Sequence, residues 1–252
     1  MSRETAETHI ENGIARITFF HPQSNSLPGE LLRKLASEIE QASNNDTVKV
    51  IILQSRGEKA FCAGASFDEL VSIKNKEEGL QFFSGFASVI NAMRKAQVFV
   101  IARIQGKCVG GGVGLAAAAD YAIAHESASV KLSELAVGIG PFVVGPAVER
   151  KMGKAAFTAM TIDASSWRSA EWAYQNGLFA ELHNSFESLE EAVNKLAFTL
   201  AACNPEAMAM LKKVFWEGTN HWDELLKERA GISGHLVLSD FTRNAIAKFK
   251  SK

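Results

Sequence analysis

Residues 98–119 read VFVIARIQGKCVGGGVGLAAAA, and this stretch decides which fold the chain adopts. Residues 98–104 form an apolar run of the length expected for a strand that is covered on both faces. Gly110, Gly111 and Gly112 follow after a short loop, and residues 115–119 have the small side chains of a tightly packed helix. A buried strand, a glycine loop and a helix in this order indicate an α/β fold in which the backbone approaches another group closely.

A similar order occurs earlier in the chain. Residues 48–53 (VKVIIL) are a second buried apolar run, residues 56–66 (RGEKAFCAGAS) are a loop of small residues, and residues 80–95 have helical periodicity. Strand, helix, strand order implies parallel pairing, so both glycine loops should open at the carboxyl edge of one sheet. Backbone N–H groups from the two loops could then meet at one carbonyl oxygen as an oxyanion hole, although glycines that only permit tight turns explain the same pattern.

The remaining segments predict a hairpin at the start of the chain and helices at its end. Apolar alternation in residues 9–19 is broken by Asn12 and Gly13, a pair typical of a type I′ turn. A helix is expected over residues 31–42, short strands over 121–124 and 129–132, and a helix from about residue 147. Helical patterns over residues 169–176, 186–202, 205–216 and 223–229 predict that the C-terminal third is all-helical.

Composition excludes several classes of protein. The 252 residues are 47% hydrophobic, and 27 basic against 28 acidic side chains leave a net charge of −1, so we expect no nucleic-acid partner. No apolar run is long enough to span a membrane, and the polar start and few cysteines indicate a cytoplasmic, reduced protein. The six histidines show no metal-binding spacing, so no metal site is predicted.

Three motifs in order carry a resemblance to a known family. They are residues 59–65 (KAFCAGA), residues 104–112 (IQGKCVGGG) leading into Ala119 and Asp120, and residues 132–139 (LSELAVGI). Together they closely resemble the enoyl-CoA hydratase/isomerase (crotonase) superfamily. The resemblance implies that the N–H groups of Ala65 and Gly111 hold a thioester oxygen and that Glu134 is the catalytic acid/base. A thioester polarised in this way tolerates an enolate, so a carboxylate can move a proton on the adjoining carbon.

The resemblance also implies the fold and the substrate. It implies an α/β, crotonase-like spiral of ββα units over residues 1–164 and a C-terminal helical assembly and lid region over residues 165–252. An acyl-CoA is the expected substrate, with no separate cofactor, and a homotrimer or homohexamer is the expected assembly. Substrate and coenzyme A contacts are expected from these residues: Lys59, Ala60, Phe61, Ala63, Gly64, Gly110 and Phe142.

One departure from the family leaves the reaction open. Relatives that hydrate enoyl-CoA carry a second glutamate two residues after the glycine run, and this chain has Gly114 there. Reversible hydration of a 2-enoyl-CoA is the first expectation, and isomerisation of a 3-enoyl-CoA to a 2-enoyl-CoA by a single glutamate is the alternative. A non-catalytic acyl-CoA binding protein is a third. Asp68 stands where the family often has lysine, so we expect different nucleotide contacts. Ser66 replaces a frequent acidic residue, so we expect different hydrogen bonding within the loop.

A dinucleotide-binding site is the main rival outside this family. Gly112, Gly114 and Ala117 satisfy G-x-G-x-x-A after a strand, with Glu134 about twenty residues further on. The loop before this motif is longer than the tight turn of dinucleotide-binding folds, and the motif lies in mid-chain. No G-x-S-x-G elbow or Cys/His signature predicts nucleophilic hydrolysis.

Overall fold

The computed structural model describes residues 4–250 and has the α/β architecture that the sequence predicts. In chain order its elements are β1 (Thr5–Glu11), β2 (Ile14–Phe20), α1 (Gly29–Ser43), β3 (Val50–Ser55), β4 (Ala60–Cys62), α2 (Phe67–Ser72), α3 (Lys76–Lys95), β5 (Phe99–Ile104), β6 (Lys107–Val109), α4 (Gly111–Ala118), β7 (Tyr121–His125), β8 (Ser129–Lys131), a 3₁₀ turn (Leu135–Val137), α5 (Gly145–Ile162), β9 (Arg168–Ser169), α6 (Ala170–Gln175), β10 (Glu181–His183), α7 (Phe186–Ala201), α8 (Pro205–Phe215), α9 (Trp222–Leu236) and α10 (Asp240–Lys250).

The predicted N-terminal hairpin is confirmed. β1 and β2 pair antiparallel with Glu11 opposite Ile14. Asn12 and Gly13 have φ angles of 52° and 78°, as a type I′ turn requires at both central positions. The predicted buried strands also form. They are β3 and β5, which lie side by side in parallel with Val50 opposite Phe99.

The chain winds through repeated ββα turns, and from β3 to β8 the two strands of each turn enter different sheets. β3, β5 and β7 belong to a six-stranded sheet with the order β1-β2-β3-β5-β7-β10. β4, β6 and β8 belong to a four-stranded sheet with the order β4-β6-β8-β9. Each turn therefore starts in the large sheet and delivers its second strand, and the loop after it, to the small sheet.

The second sheet was missed by the sequence reasoning. Residues 56–66 were expected to be a loop, but residues 60–62 form β4, and β6 intervenes between β5 and the glycine run. Strands of three residues are too short to show an alternating pattern, and glycine and cysteine add no strand signal. The two glycine loops therefore open at the carboxyl edge of the small sheet rather than of the large one.

The prediction of an all-helical C-terminal third is wrong. β9 pairs antiparallel with β8, and β10 pairs parallel with β7 at the end of the large sheet. Both strands are shorter than four residues, so their sequence pattern is indistinguishable from a loop. Residues beyond 165 thus extend both sheets, whereas the division of the chain at that residue stays a prediction.

A buried charged network ties the C-terminal helices to the end of α4. The Asp120 carboxylate follows α4 and accepts hydrogen bonds from Nζ of Lys212 and, at 3.0 Å, from Nε1 of Trp216. Lys212 is 2% exposed, and burial lowers its pKa while Asp120 opposes that shift. Nζ of Lys151 donates to the carbonyls of Ala119 and Asp120 at 3.1 and 2.9 Å, where α4 ends. The helix that begins at Gly111 is therefore fixed at its far end by basic side chains.

The outer face of α8 is apolar. Met210, Leu211, Val214 and Phe215 are between 46% and 62% exposed, so this helix presents a continuous apolar stripe outward. Within residues 4–250, every helix falls short of the length or the apolarity that crossing a bilayer requires.

Candidate active site

Three loops meet above the small sheet and enclose a cavity of about 170 Å³. They follow the carboxyl ends of β4, β6 and β8, which are parallel neighbours. The first loop contributes Ala63, Gly64 and Ala65, the second Gly110 and Gly111, and the third Ser133 and Glu134. The spiral therefore brings together the three residues predicted to carry the chemistry: Ala65, Gly111 and Glu134.

The N–H groups of Ala65 and Gly111 are both available for a ligand. Leu27 forms a parallel bridge with Ala65 by donating to the carbonyl of Gly64 and accepting from the N–H of Ser66, so the Ala65 N–H faces away from Leu27. Gly111 is the first residue of α4, where N–H groups have no intrahelical acceptor. Neither amide donates a hydrogen bond within the part of the chain that the structure describes.

Close backbone contact holds these two donors beside each other. A Cβ on Gly64 would lie 2.8 Å from the carbonyl oxygen of Val109 and 3.5 Å from the nitrogen of Gly111. A Cβ on Gly111 would lie 2.1 Å from the ring of Phe86. Side chains at either position would push the loops apart, so glycine here permits the approach of the two amides.

Glu134 lines the same cavity as these two donors, with its carboxylate largely desolvated. A Cβ on Gly110 would be 2.8 Å from Oε1 of Glu134, which shows how close the carboxylate is to the second loop. Oε2 of Glu134 is buried and has no hydrogen-bond partner among the described residues. Burial raises the pKa of Glu134 from 4.5 to about 7. A carboxyl group with this pKa exchanges a proton readily near neutral pH.

The position at which hydrating relatives carry a second glutamate, Gly114 in this chain, has no room for a side chain. Gly114 lies inside α4, and a Cβ there would be 2.5 Å from Cγ1 of Val144. The nearby acidic residues point elsewhere: Oδ2 of Asp68 accepts from Gln23 at 2.8 Å, and Oε2 of Glu69 accepts from the N–H of Gly29 at 2.6 Å. Glu134 is therefore the single carboxylate that lines the cavity within residues 4–250.

The rest of the wall is mostly apolar and comes from elements on both sides of the loops. α2 and α3 contribute aromatic and aliphatic side chains, and the segment before α5 contributes others. The larger ones are Phe67, Leu70, Phe83, Phe86, Phe142 and Val144. Phe142, which was expected at the acyl group, lies at this wall with its ring against Gly140.

The residues predicted to contact coenzyme A differ in how accessible they are to a ligand. Lys59 is exposed outside the cavity, whereas the Phe61 ring is fully buried and packs edge-on against Phe19, with centroids 5.4 Å apart. The Ala60 carbonyl already accepts from Asn25 at 2.9 Å and from Gln105 at 3.1 Å. Phe61 can thus serve a ligand only through its backbone, and the Ala60 carbonyl is occupied. Contacts to the nucleotide stay a prediction.

Cys62 is a packing residue. It is fully buried beneath the first loop, and burial raises its pKa to about 12. A thiol with that pKa stays protonated at neutral pH and is a poor nucleophile. Within residues 4–250, acidic, histidine and cysteine side chains form no group of three or more that could hold a metal ion.

Sequence reasoning missed several residues of the site. Lys131 and Trp167 line the cavity from the small sheet, and Val144 fills the space against Gly114. Asn25 and Gln105 hold the first loop through the Ala60 carbonyl. Only pairing within the missed second sheet could have brought Trp167 to this place, and no local motif marks it.

The glycine pattern of the dinucleotide rival has a different role. Gly112 and Gly114 lie within α4, where added Cβ atoms would lie 2.4 Å from the Cys62 carbonyl and 2.5 Å from Val144. They are helix-packing residues, so they do not form a phosphate loop between a strand and a helix.

Comparison with known proteins identifies the family of the chain. The family model described as enoyl-CoA hydratase/isomerase matches residues 9–249. A Bacillus subtilis (strain 168) protein named for the same family is 37% identical over 131 residues, 51% of this chain and about half (49%) of that relative. A hydrolase of an indene-carboxyl-CoA from Mycobacterium tuberculosis is 28% identical over 82% of this chain and 81% of its own.

The fold agrees as well. The crystal structure of an enoyl-CoA hydratase from Bacillus halodurans superposes with a TM-score of 0.89, at 21% identity, over 96% of this chain and 99% of that one. The ββα spiral is therefore the crotonase-like fold. With its family model matched over residues 9–249, the chain belongs to the enoyl-CoA hydratase/isomerase family.

Proposed function

We propose that the chain moves the double bond of an enoyl-CoA, interconverting 3-enoyl-CoA and 2-enoyl-CoA with Glu134 as the single acid/base. The observation that carries this proposal is the closed second position, where Val144 packs against Gly114 and leaves Glu134 as the one carboxylate at the cavity in the described chain. Moving a proton from one carbon to another needs one group that accepts it and returns it.

The proposed reaction conserves atoms and electrons. The thioester oxygen accepts hydrogen bonds from the N–H groups of Ala65 and Gly111. Ionised Glu134 takes a proton from C2 of the 3-enoyl thioester, and the electron pair moves onto the thioester oxygen as a dienolate. The amides stabilise that charge, and Glu134, now protonated, returns the proton to C4. The double bond then lies between C2 and C3, and Glu134 is ionised again.

Hydration of a 2-enoyl-CoA is the second candidate, and the names of this chain's relatives favour it. The Bacillus halodurans neighbour is an enoyl-CoA hydratase, and the family description names both activities. Hydration also requires that a water molecule be oriented beside the double bond. Of the polar side chains at the cavity, Ser133 is the nearest to Glu134 in the chain, and its hydroxyl would have to orient that water.

Product analysis with separate substrates tests both candidates. Short and long 3-enoyl-CoA and 2-enoyl-CoA thioesters are incubated with the wild type, Glu134→Gln and the exposed control Glu126→Gln. We expect isomerised products from the wild type and the control, and a loss of about 100- to 10,000-fold in kcat in Glu134→Gln. Hydroxyacyl products in place of isomers would favour hydration. Binding without turnover would favour a non-catalytic acyl-CoA binding protein, and equal rates in Glu134→Gln would refute the role of Glu134.

A further inference from the structure

Two lysine ammonium groups lie near one partly exposed tryptophan at the edge of the cavity. Nζ of Lys131 is 4.6 Å and Nζ of Lys107 is 5.2 Å from the centroid of the Trp167 ring. Trp167 is 42% exposed, and both it and Lys131 line the cavity that holds Glu134. We call Lys107, Lys131 and Trp167 the cationic rim.

The pairing of the small sheet explains why these side chains share a face. Val109 of β6 is opposite Lys131 of β8, and Lys107 lies two residues before Val109, so all three point to the same side. β8 runs antiparallel to β9 with Val130 opposite Arg168. Trp167, one residue before Arg168, therefore lies beside Lys131, one residue after Val130. Val109 also lines the cavity, and the cationic rim therefore continues the cavity wall.

The two ammonium groups lack an anionic partner in the part of the chain that the structure describes. Among the described residues, neither Lys107 nor Lys131 forms an ion pair, whereas the nearby Arg168 pairs with Asp163 at 3.0 Å. The face of an indole attracts cations, so Trp167 holds both ammonium groups in place without neutralising them. Two adjacent positive charges with no carboxylate paired to them create a place where an anion is favoured.

We infer that the cationic rim binds a negatively charged oxygen group of the substrate, namely a carboxylate on the acyl chain or a phosphate of coenzyme A. This inference rests on the proposed function, because it gives the thioester a second attachment point. Strand order favours the acyl carboxylate. Trp167 adjoins β9, at the opposite edge of the small sheet from β4, about 14 Å away at the usual strand spacing. Lys107 lies opposite Ala60 of β4, so strand order separates the Lys131 and Trp167 part of the rim, and not Lys107, from the predicted nucleotide residues 59–63.

Distance along the chain also favours the acyl carboxylate. Lys131 precedes Glu134 by three residues, which span at most about 10 Å even when fully extended. A group held at Lys131 is therefore near the carbon that exchanges its proton. The expected substrate class is a short acyl-CoA with a free carboxylate at the end of the acyl chain away from the thioester.

Binding of saturated thioesters tests the inference without requiring turnover. The probes are glutaryl-CoA and pentanoyl-CoA, which have the same number of acyl carbons, and the phosphate-free N-acetylcysteamine thioesters of the same two acids. Dissociation constants are measured by titration calorimetry for the wild type, Lys107→Met, Lys131→Met, Trp167→Leu and the exposed control Lys154→Met. Circular dichroism confirms that each variant is folded.

We expect the wild type and Lys154→Met to bind glutaryl-CoA about 10-fold tighter than pentanoyl-CoA, and Lys131→Met to lose that preference. Lys107→Met and Trp167→Leu should weaken the preference. Equal weakening of both CoA thioesters, with no change for the phosphate-free pair, would support the rim as a phosphate site instead. Unchanged dissociation constants for all four probes in Lys107→Met and Lys131→Met would overturn the rim and leave the proposed function intact. If the wild type bound none of the probes, the proposed function would fail as well.

Discussion

Replacing Glu134 by glutamine should make the protein more stable at alkaline pH while it removes activity. Burial raises the pKa of Glu134 from 4.5 to about 7, so ionising this carboxyl costs the folded state about 3 kcal/mol relative to the unfolded chain. Below pH 4.5 the group is protonated in both states and adds no penalty. The penalty grows as pH rises from 4.5 to about 7 and is constant above. Glutamine has no charge, so the variant avoids the penalty.

Urea unfolding of the wild type and Glu134→Gln at a series of pH values from 4.5 to 8.5 measures this difference. At equal protein concentration we expect the two free energies of unfolding to be similar at pH 4.5 and to differ by up to about 3 kcal/mol at pH 8.5, with the variant more stable. The exposed control Glu126→Gln should follow the wild type. A difference that does not change with pH would refute the reasoning, because burial of a charge would then not be the source of the effect.

The remaining predictions concern the catalytic pH profile, the closed second position, the buried ion pair and the apolar face of α8. For conversion of a 3-enoyl-CoA to a 2-enoyl-CoA, kcat/KM should rise with pH and level off above about 7, since Glu134 must be ionised to remove the C2 proton. A profile flat from about pH 5 to 9 would contradict this. Gly114→Glu should lower the thermal midpoint by overpacking against Val144, and adding Val144→Ala should recover part of the loss. Lys212→Met should cost about 3 kcal/mol or more in urea unfolding, because it leaves the buried Asp120 carboxylate without its cation. Val214→Asp should shift the protein towards monomer in size-exclusion chromatography with light scattering if the exposed stripe forms the predicted oligomer contact; an unchanged mass would exclude that contact.

The large sheet and the long helices could be predicted because their patterns extend over enough residues. β5 shows an apolar run, and α7 repeats its apolar positions over four turns. β9, with two residues, has no pattern of its own and forms only because β8 offers it a partner. Sequence pattern therefore gives the layers and leaves out the short strands on which the site is built.

The candidate reactive groups could be named from the sequence, but their surroundings could not. The glycines and Glu134 stand in motifs that are local in sequence. The closure of the second position depends on Val144, thirty residues from Gly114, and the cationic rim depends on Trp167 reaching a neighbouring strand. Such contacts are products of tertiary packing, and local propensity contains no information about them.

The proposed oxygen-binding donors of this site, the N–H groups of Ala65 and Gly111, belong to the main chain, so substitutions other than proline leave the donor groups themselves in place. The groups proposed to act on the rest of the substrate are single side chains such as Glu134, and at Gly114, inside α4, the packing against Val144 is complete without one. A scaffold divided in this way can acquire a new reaction by exchanging one or two side chains, because the main-chain donors proposed to hold the thioester stay unchanged.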